Sequence, residues 1–336
     1  MNKKKFSELR YDLLSKNWVV IATGRARRPN SFKEKRKKEK VSKSSCPFCK
    51  IETQESPTII FSNGKKVASL NNKWTTVSIP NKYPAFIPGH SLNKRKEGNL
   101  YQIIDAVGYH EVVVTRDHEK SIASLPLSRV EELINVFQER FLDLKKKKFV
   151  KYISIFHNHG EKAGASIIHP HSQIITTPLI DTDLEEALVN SKKYYKAHKK
   201  CFYCLMNKWE KKFKKRIVFE NKSFLAVCPF ASKSAFQVII SPKKHSAYFE
   251  KISKEEKKDL AQSLKAVLSK LYKGLNDPHY NFYIHTAPTD NKDYSYYHWH
   301  WIIMPKTSVL AGFELGAGME ISTIEPEKAA EYLRKQ

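Results

Sequence analysis

The two halves of this chain carry the same features in the same order, and that repetition limits the fold more than any other property. The first half reads C-P-F-C at Cys46–Cys49, then WTTVSIPNKYPAF from Trp74, then YHEVVVTRDHEKS from Tyr109. A helical stretch follows, then YISIFHNHG from Tyr152 and IIHPHSQIIT from Ile167. The second half reads C-F-Y-C at Cys201–Cys204, then SFLAVCPFASKSAF from Ser223 and FQVIISPKKHSAY from Phe236. Another helical stretch leads to NFYIHTAP from Asn281 and YYHWHWIIMP from Tyr296. His118 and His245 are 127 positions apart, and His169 and His298 are 129 apart. A nearly constant offset is the mark of a duplicated unit.

Each unit has a readable architecture. SRVE at Ser128–Glu131 and SKEE at Ser253–Glu256 have the form of a capping box, in which Ser and Glu satisfy free helix N–H groups reciprocally. Apolar residues then recur at helical spacing: Val130, Leu133, Ile134, Phe137 and Phe141, and again Leu260, Leu264, Val267, Leu268 and Leu271. The flanking segments are short, rich in Val, Ile, Phe and Tyr, and bounded by Pro, Gly, Asn or Lys, as strands are. The expected class is α+β, with two tandem units at 1–180 and 181–336. Each unit is an antiparallel sheet with one long helix packed on it. Thr182 to Lys200 reads as a helical, then basic, connection.

Four of the five cysteines form the two C-x-x-C pairs. In a cytosolic chain, the expected setting, such pairs suggest metal before disulfide. Zinc takes four soft or borderline ligands in a tetrahedron, so each knuckle needs two partners from elsewhere in the fold. The expected sets are Cys46, Cys49, His118 and His169, and Cys201, Cys204, His245 and His298. His110 competes with His118 and His300 with His298, and the repeat offset favours His118.

In HPHSQ, His169, His171 and Gln173 share one face if the segment is a strand. With His169 on a metal, His171 is left free beside it. A neutral imidazole is a competent nucleophile toward phosphorus, because it forms a covalent intermediate and then leaves. The small residues of AGAS, Ala163–Ser166, let a ligand approach the backbone closely, and Ser166 adds a hydroxyl.

HPHSQ, the pair Asn158 and Ser166 upstream of its end, and the opening LRYDLLSKNWVVIATGRARRP resemble the galactose-1-phosphate uridylyltransferases, a duplicated branch of the histidine-triad superfamily. The resemblance runs from Leu9 to about Arg334 and implies a ping-pong exchange. His171 would take UMP from UDP-glucose, and a hexose 1-phosphate such as galactose 1-phosphate would collect it. Gln173 stands where triad hydrolases carry a third histidine, and a neutral amide there favours transfer over hydrolysis. The resemblance also implies that Arg25 and Arg28 bind the diphosphate and that Asn158 and Ser166 contact the nucleotide phosphates. Asn81 would begin the nucleoside pocket, Glu314 in AGFELGAG would accept hexose hydroxyls, and the enzyme would be a homodimer.

The chain departs from the best-known members at several positions. Ser172 stands for Gly, and Lys82 for an Asp near the uridine. Cys201 and Cys204 suggest zinc where those members hold iron, for which Glu185 or Glu186 would be the carboxylate. GFELGAG and the paired knuckles are also similar to the ADP-glucose phosphorylases, which transfer AMP to phosphate, so adenylyl transfer is the alternative.

The net charge of +26 raises a third reading, a non-enzymatic zinc protein that binds nucleic acid. Its Lys-rich runs, such as Lys145–Lys148 and Lys211–Lys215, lack the interleaved aromatics of a single-strand platform, so no nucleic-acid partner is expected. No apolar run approaches the roughly 20 residues of a membrane span, and the basic start has no apolar core like a signal peptide's. A cytoplasmic location is the expectation.

Overall fold

The computed structural model describes residues 7–22, 29–34 and 42–336. Arg25 and Arg28 lie outside the described residues. The observed fold is α+β, built around one sheet of eleven strands that runs through both repeats. Across the sheet the order is Ile217–Glu220, Phe224–Val227, Val238–Pro242, His300–Pro305, Tyr280–His285, Tyr152–His159, His171–Thr177, His110–Thr115, Thr76–Pro80, Ile59–Ser62 and Lys65–Val67. Every neighbouring pair is antiparallel.

The repeats join where Tyr280–His285 pairs with Tyr152–His159, in the register Tyr280↔His159 to Tyr283↔Phe156. Each repeat alone would leave that strand edge open. Joining them satisfies both rows of backbone groups and removes two edges at once.

One face of the sheet carries the helices Leu127–Leu144 and Lys254–Leu275, which also pack on each other. All ten apolar positions read from the sequence periodicity, Val130 to Phe141 and Leu260 to Leu271, lie in one buried cluster with Phe282, Trp301 and Ile174. Truncating such a side chain costs about 3–5 kcal/mol for Phe137→Ala, by loss of buried area plus the cavity left behind.

The two helix starts differ from each other. Ser253 forms the expected capping box: Glu256 N–H donates to Ser253 Oγ at 3.2 Å, and Ser253 N–H donates to Glu256 Oε2 at 2.9 Å. Ser128 does not cap. The first helix begins at Leu127 behind Pro126, whose carbonyl accepts the N–H groups of Arg129 and Val130. Pro126 sits at φ −58° and ψ 149°, so the ring itself sets the extended entry and Ser128 falls inside the first turn.

The connection is helical over Thr182–His198, capped by the Asp181 side chain and closed by Lys199 in the left-handed region. A further helix, Phe202–Phe213, starts directly at the second knuckle. At the far end a hairpin, Glu8–Tyr11 with Trp18–Ile21, takes up Ile321–Ser322 in parallel. Arg10 and Arg216 both reach Glu327 there, which ties the hairpin to the last helix, Pro326–Arg334.

Candidate active site and paired metal clusters

The sheet face opposite the two long helices carries the candidate site residues His171 and Gln173. Its floor is Val77, Ile79, Val112 and Val114, and the Cys46–Ile51 segment folds over it. The strand begins at His171, and His169 lies in the bend before it. The expected strand alternation therefore covers His171 and Gln173 but not His169. Pro170 has no N–H to give a ladder and falls just outside the strand. Ser172 faces the other way, and its Oγ lies 3.1 Å from His157 Nδ1 on the neighbouring strand.

His171 Nδ1–H donates to the carbonyl of His169 at 2.9 Å. That bond fixes the tautomer and leaves the lone pair on Nε2. Among the described residues no group bonds Nε2. Burial lowers the pKa of this imidazole below its usual value, against the opposing pull of the His169 carbonyl. The ring is neutral at neutral pH, and Phe48 packs on it with ring centroids 5.1 Å apart.

Gln173 is two residues on, on the same face. Its Oε1 is 2.7 Å from His110 Nε2. The Ala85 N–H donates to His110 Nδ1 at 3.1 Å, which puts the ring proton on Nε2 and makes His110 the donor to Gln173. The amide oxygen is thereby occupied, and the NH₂ of Gln173 is the end available to a ligand. Asn81 Nδ2 lies 3.0 Å from the same ring nitrogen. Both atoms carry protons in this tautomer, so this is a contact and not a hydrogen bond, and Asn81 borders the imidazole that Gln173 engages. The next residue, Glu111, points to the helix side and is gripped there by Arg140 at 2.6 Å and Ser78 at 2.8 Å. This buried pair sets which face His110 takes.

Asn158 lies one residue beyond the Ser172↔His157 pair, opposite His171. Its Oδ1 accepts from Asn281 Nδ2 at 2.8 Å, and Asn281 also donates to the Ala163 carbonyl. The loop between Asn158 and Ser166 turns on Gly160 and Gly164, at φ +81° and +87°. A Cβ on Gly164 would be strained by that φ and would sit 3.7 Å from Asn158 Nδ2. Ser166 is exposed beyond the turn. Glu314 is on the exposed helix Gly312–Ala317, where its Oε2 accepts the Ala311 N–H at 3.1 Å. No hydrogen bond or ion pair among the described residues joins it to the His171 face.

Both cysteine–histidine clusters assemble. Cys46, Cys49, His118 and His169 bring their donor atoms within 4.8 Å of one another, as do Cys201, Cys204, His245 and His298. Two nitrogens bound at ~2.0–2.1 Å to a tetrahedral ion stand roughly 3.3 Å apart, and nitrogen and sulfur roughly 3.5 Å. Here His118 Nδ1 and His169 Nδ1 are 3.3 Å apart, and Cys46 Sγ is 3.4 Å from His169 Nδ1. In the second cluster Cys204 Sγ is 3.5 Å from His245 Nδ1 and 3.6 Å from His298 Nδ1.

The tautomers agree with metal binding. His169 donates from Nε2 to the Thr115 carbonyl at 2.7 Å, His298 to Pro242 at 2.9 Å, and His245 to Ser295 at 2.7 Å. Each bond leaves Nδ1 bare toward the cluster, as a ligand nitrogen must be. Burial lowers His169 to about 4, so it presents a neutral ring. His110 is in neither cluster, and Glu185 and Glu186 are exposed on the connecting helix. His300 is also outside. Its Nδ1–H donates to the His298 carbonyl at 3.1 Å, and the Tyr203 hydroxyl meets its Nε2 at 3.0 Å.

A duplicated antiparallel sheet with a bare histidine nitrogen beside a Cys₂His₂ cluster defines a histidine-triad type of protein. The family model for the N-terminal domain of galactose-1-phosphate uridyl transferase matches residues 1–181, and that for the C-terminal domain matches 187–335. The chain belongs to the galactose-1-phosphate uridyl transferase family. It is 33% identical to ADP-glucose phosphorylase of Arabidopsis thaliana over 337 residues, covering 98% of this chain and 92% of that one. It is 32% identical to galactose-1-phosphate uridylyltransferase of Thermotoga maritima over 338 residues, 98% of each chain. The crystal structure of the Arabidopsis ADP-glucose phosphorylase with bound ADP-glucose superposes with a TM-score of 0.80 at 29% identity, covering 98% of this chain and 99% of that one.

Proposed function

We propose that this protein moves UMP between UDP-glucose and galactose 1-phosphate, or a related hexose 1-phosphate, through a covalent intermediate on His171. The observation that carries the reading is the His171 ring: Nδ1 is tied to the His169 carbonyl at 2.9 Å, and Nε2 is bare. The Nε2 lone pair attacks the α-phosphorus, and the P–O bond to hexose 1-phosphate breaks with its electrons on the departing phosphate. The His169 carbonyl stabilises the positive ring that results. An oxygen of the second hexose 1-phosphate then attacks phosphorus, and the P–N electrons return to Nε2. The NH₂ of Gln173 steadies a non-bridging oxygen without supplying a proton. Asn158 and Ser166 hold the phosphates from the glycine loop, Arg25 and Arg28 bind the diphosphate, and Asn81 opens the nucleoside pocket.

Zinc is the metal the two donor sets suit, and it supplies a structural cross-link at each. The repeats at 1–180 and 181–336 divide the work, with nucleophile and first zinc in one and the second zinc and hexose segment in the other. Glu314 accepts hexose hydroxyls, and the working form is a homodimer, as the family resemblance implies. No helix among the described residues is long and apolar enough to cross a membrane, and the cytoplasm is the proposed location.

Transfer of AMP is the second reading, favoured by the 33% identity to the Arabidopsis phosphorylase. Initial rates test the first reading. Glucose 1-phosphate release from UDP-glucose, with galactose 1-phosphate varied, gives parallel double-reciprocal lines for the covalent exchange. Intersecting lines contradict it, and turnover of ADP-glucose with phosphate alone selects the second reading.

A further inference from the structure

The two knuckles differ at their third position, and the histidine behind each differs with it. Phe48 stands in Cys46-Pro47-Phe48-Cys49 where Tyr203 stands in Cys201-Phe202-Tyr203-Cys204. Behind each lies a histidine two residues after a cluster histidine. Both hold the same posture, with His171 Nδ1–H on the His169 carbonyl at 2.9 Å and His300 Nδ1–H on the His298 carbonyl at 3.1 Å. Both therefore carry the ring lone pair on Nε2, and both lean on the knuckle aromatic. Phe48 and His171 have centroids 5.1 Å apart, and Tyr203 and His300 stack at 4.5 Å.

They part at one atom. With Nδ1 as donor, His300 Nε2 is an acceptor, so the Tyr203 hydroxyl donates to it at 3.0 Å. Phe48 has no hydroxyl, and among the described residues nothing bonds His171 Nε2. A lone pair engaged by an O–H cannot at the same time attack phosphorus.

We infer that His300 is a silenced counterpart of His171, and that the knuckle aromatic decides which of the two is available: phenylalanine leaves the lone pair open and tyrosine closes it. This rests on the proposed role of His171. The surroundings of His300 fit a retired site. Ile302 occupies the position that Gln173 holds in the first repeat, and His285 pairs opposite His300 where Asn158 lies opposite His171. His300 is also more deeply buried than His171, at 3% against 9% exposed. A bare nitrogen at that depth leaves a polar atom unsatisfied, and the Tyr203 hydroxyl removes that defect. The same hydroxyl in the first repeat would remove the nucleophile.

The test transplants the hydroxyl. Phe48→Tyr is expected to slow labelling of the protein by α-phosphate-labelled UDP-glucose by about 100-fold or more, while Phe48→Leu, which disturbs packing but adds no donor, labels at least about tenfold faster than Phe48→Tyr. Metal content and thermal unfolding check that both variants fold. Labelling of folded Phe48→Tyr within about threefold of the unsubstituted protein overturns the inference. Imidazole nitrogen NMR gives a readout that needs no catalysis. Tyr203→Phe moves the His300 Nε2 signal toward that of an unbonded imine nitrogen, and Phe48→Tyr moves the His171 Nε2 signal toward that of a hydrogen-bonded one. An unmoved His300 signal in Tyr203→Phe overturns the inference even if the parent protein takes no label. Absence of label in the parent with both signals moving as stated counts against the proposed function and leaves the capping assignment standing.

Discussion

His110 donates from Nε2 to Gln173 Oε1 across 2.7 Å, and this bond turns the amide of Gln173 so that its nitrogen, not its oxygen, is the free end on the His171 face, where the proposed exchange puts a phosphoryl group. A carbonyl oxygen in that place would repel phosphate. His110→Gln keeps an N–H donor near the Nε2 position and is expected to retain most activity. His110→Glu presents an acceptor there, reverses the amide, and lowers kcat by about 100-fold, comparable with loss of one preorganised donor. Steady-state kcat and KM with UDP-glucose check this. Equal losses in the two variants would mean that His110 only fills space.

In the proposed exchange, Gln173 governs the fate of the intermediate. Gln173→His restores a group that can pass a proton to or from water. UMP release from UDP-glucose without any hexose 1-phosphate is expected to rise in that variant relative to its transfer rate. Measured nucleotide release over time separates the two, and an unchanged hydrolysis-to-transfer ratio contradicts the role given to the neutral amide.

The two clusters predict about two zinc ions per chain by elemental analysis, because each presents four ligand atoms within 4.8 Å. Their loss has different consequences. Cys46→Ser loosens His169, whose carbonyl fixes His171, so activity and thermal stability both fall. Cys201→Ser lowers the unfolding temperature while labelling of His171 persists in the folded fraction.

Glu327 provides an acid-sensitive tie. Burial pushes its carboxyl up, but the hydrogen bond from Arg216 at 2.7 Å and the charge of Arg10 at 3.0 Å outweigh burial and hold it below the usual range. A depressed folded value means the stabilisation is present above the unfolded pKa of about 4.3 and is lost as pH falls through the folded value. Glu327→Gln is expected to lower stability by roughly 1–3 kcal/mol at neutral pH. The gap to the unsubstituted protein should close as pH falls through that window. Denaturant unfolding at several pH values shows whether it does.

Much of this arrangement was legible in the sequence because it is local or repeated. Helical spacing identified the buried faces of Leu127–Leu144 and Lys254–Leu275, since period alone decides which residues face a sheet. The shared offset chose His118 over His110 for the first knuckle, the set the structure assembles. What escaped was set by longer-range partners. Ser128 has the letters of a cap, but Pro126 upstream had already started the helix. His169 reads as strand, yet it sits in the bend that lets its Nδ1 face the cluster while Nε2 reaches Thr115. The merging of the repeats through Tyr280–His285 and Tyr152–His159 depends on pairing across more than a hundred residues, and no periodicity encodes that. His110 read only as a rival ligand because nothing in GYHEVVV reveals that Gln173 stands across the ladder. The signal for Tyr203 was present in the contrast between C-P-F-C and C-F-Y-C, and became readable once His300 lay beside its hydroxyl.

The covalent step is the centre of the account, and labelling tests it most directly. Protein mixed with UDP-glucose radiolabelled at the α-phosphate, without acceptor, should retain label that is stable to alkali and released by acid, as a phosphoramidate is. His171→Ala, with Cys46, Cys49, His118 and His169 intact, should retain none. Absence of label from both UDP-glucose and ADP-glucose, or label undiminished in His171→Ala, contradicts the account.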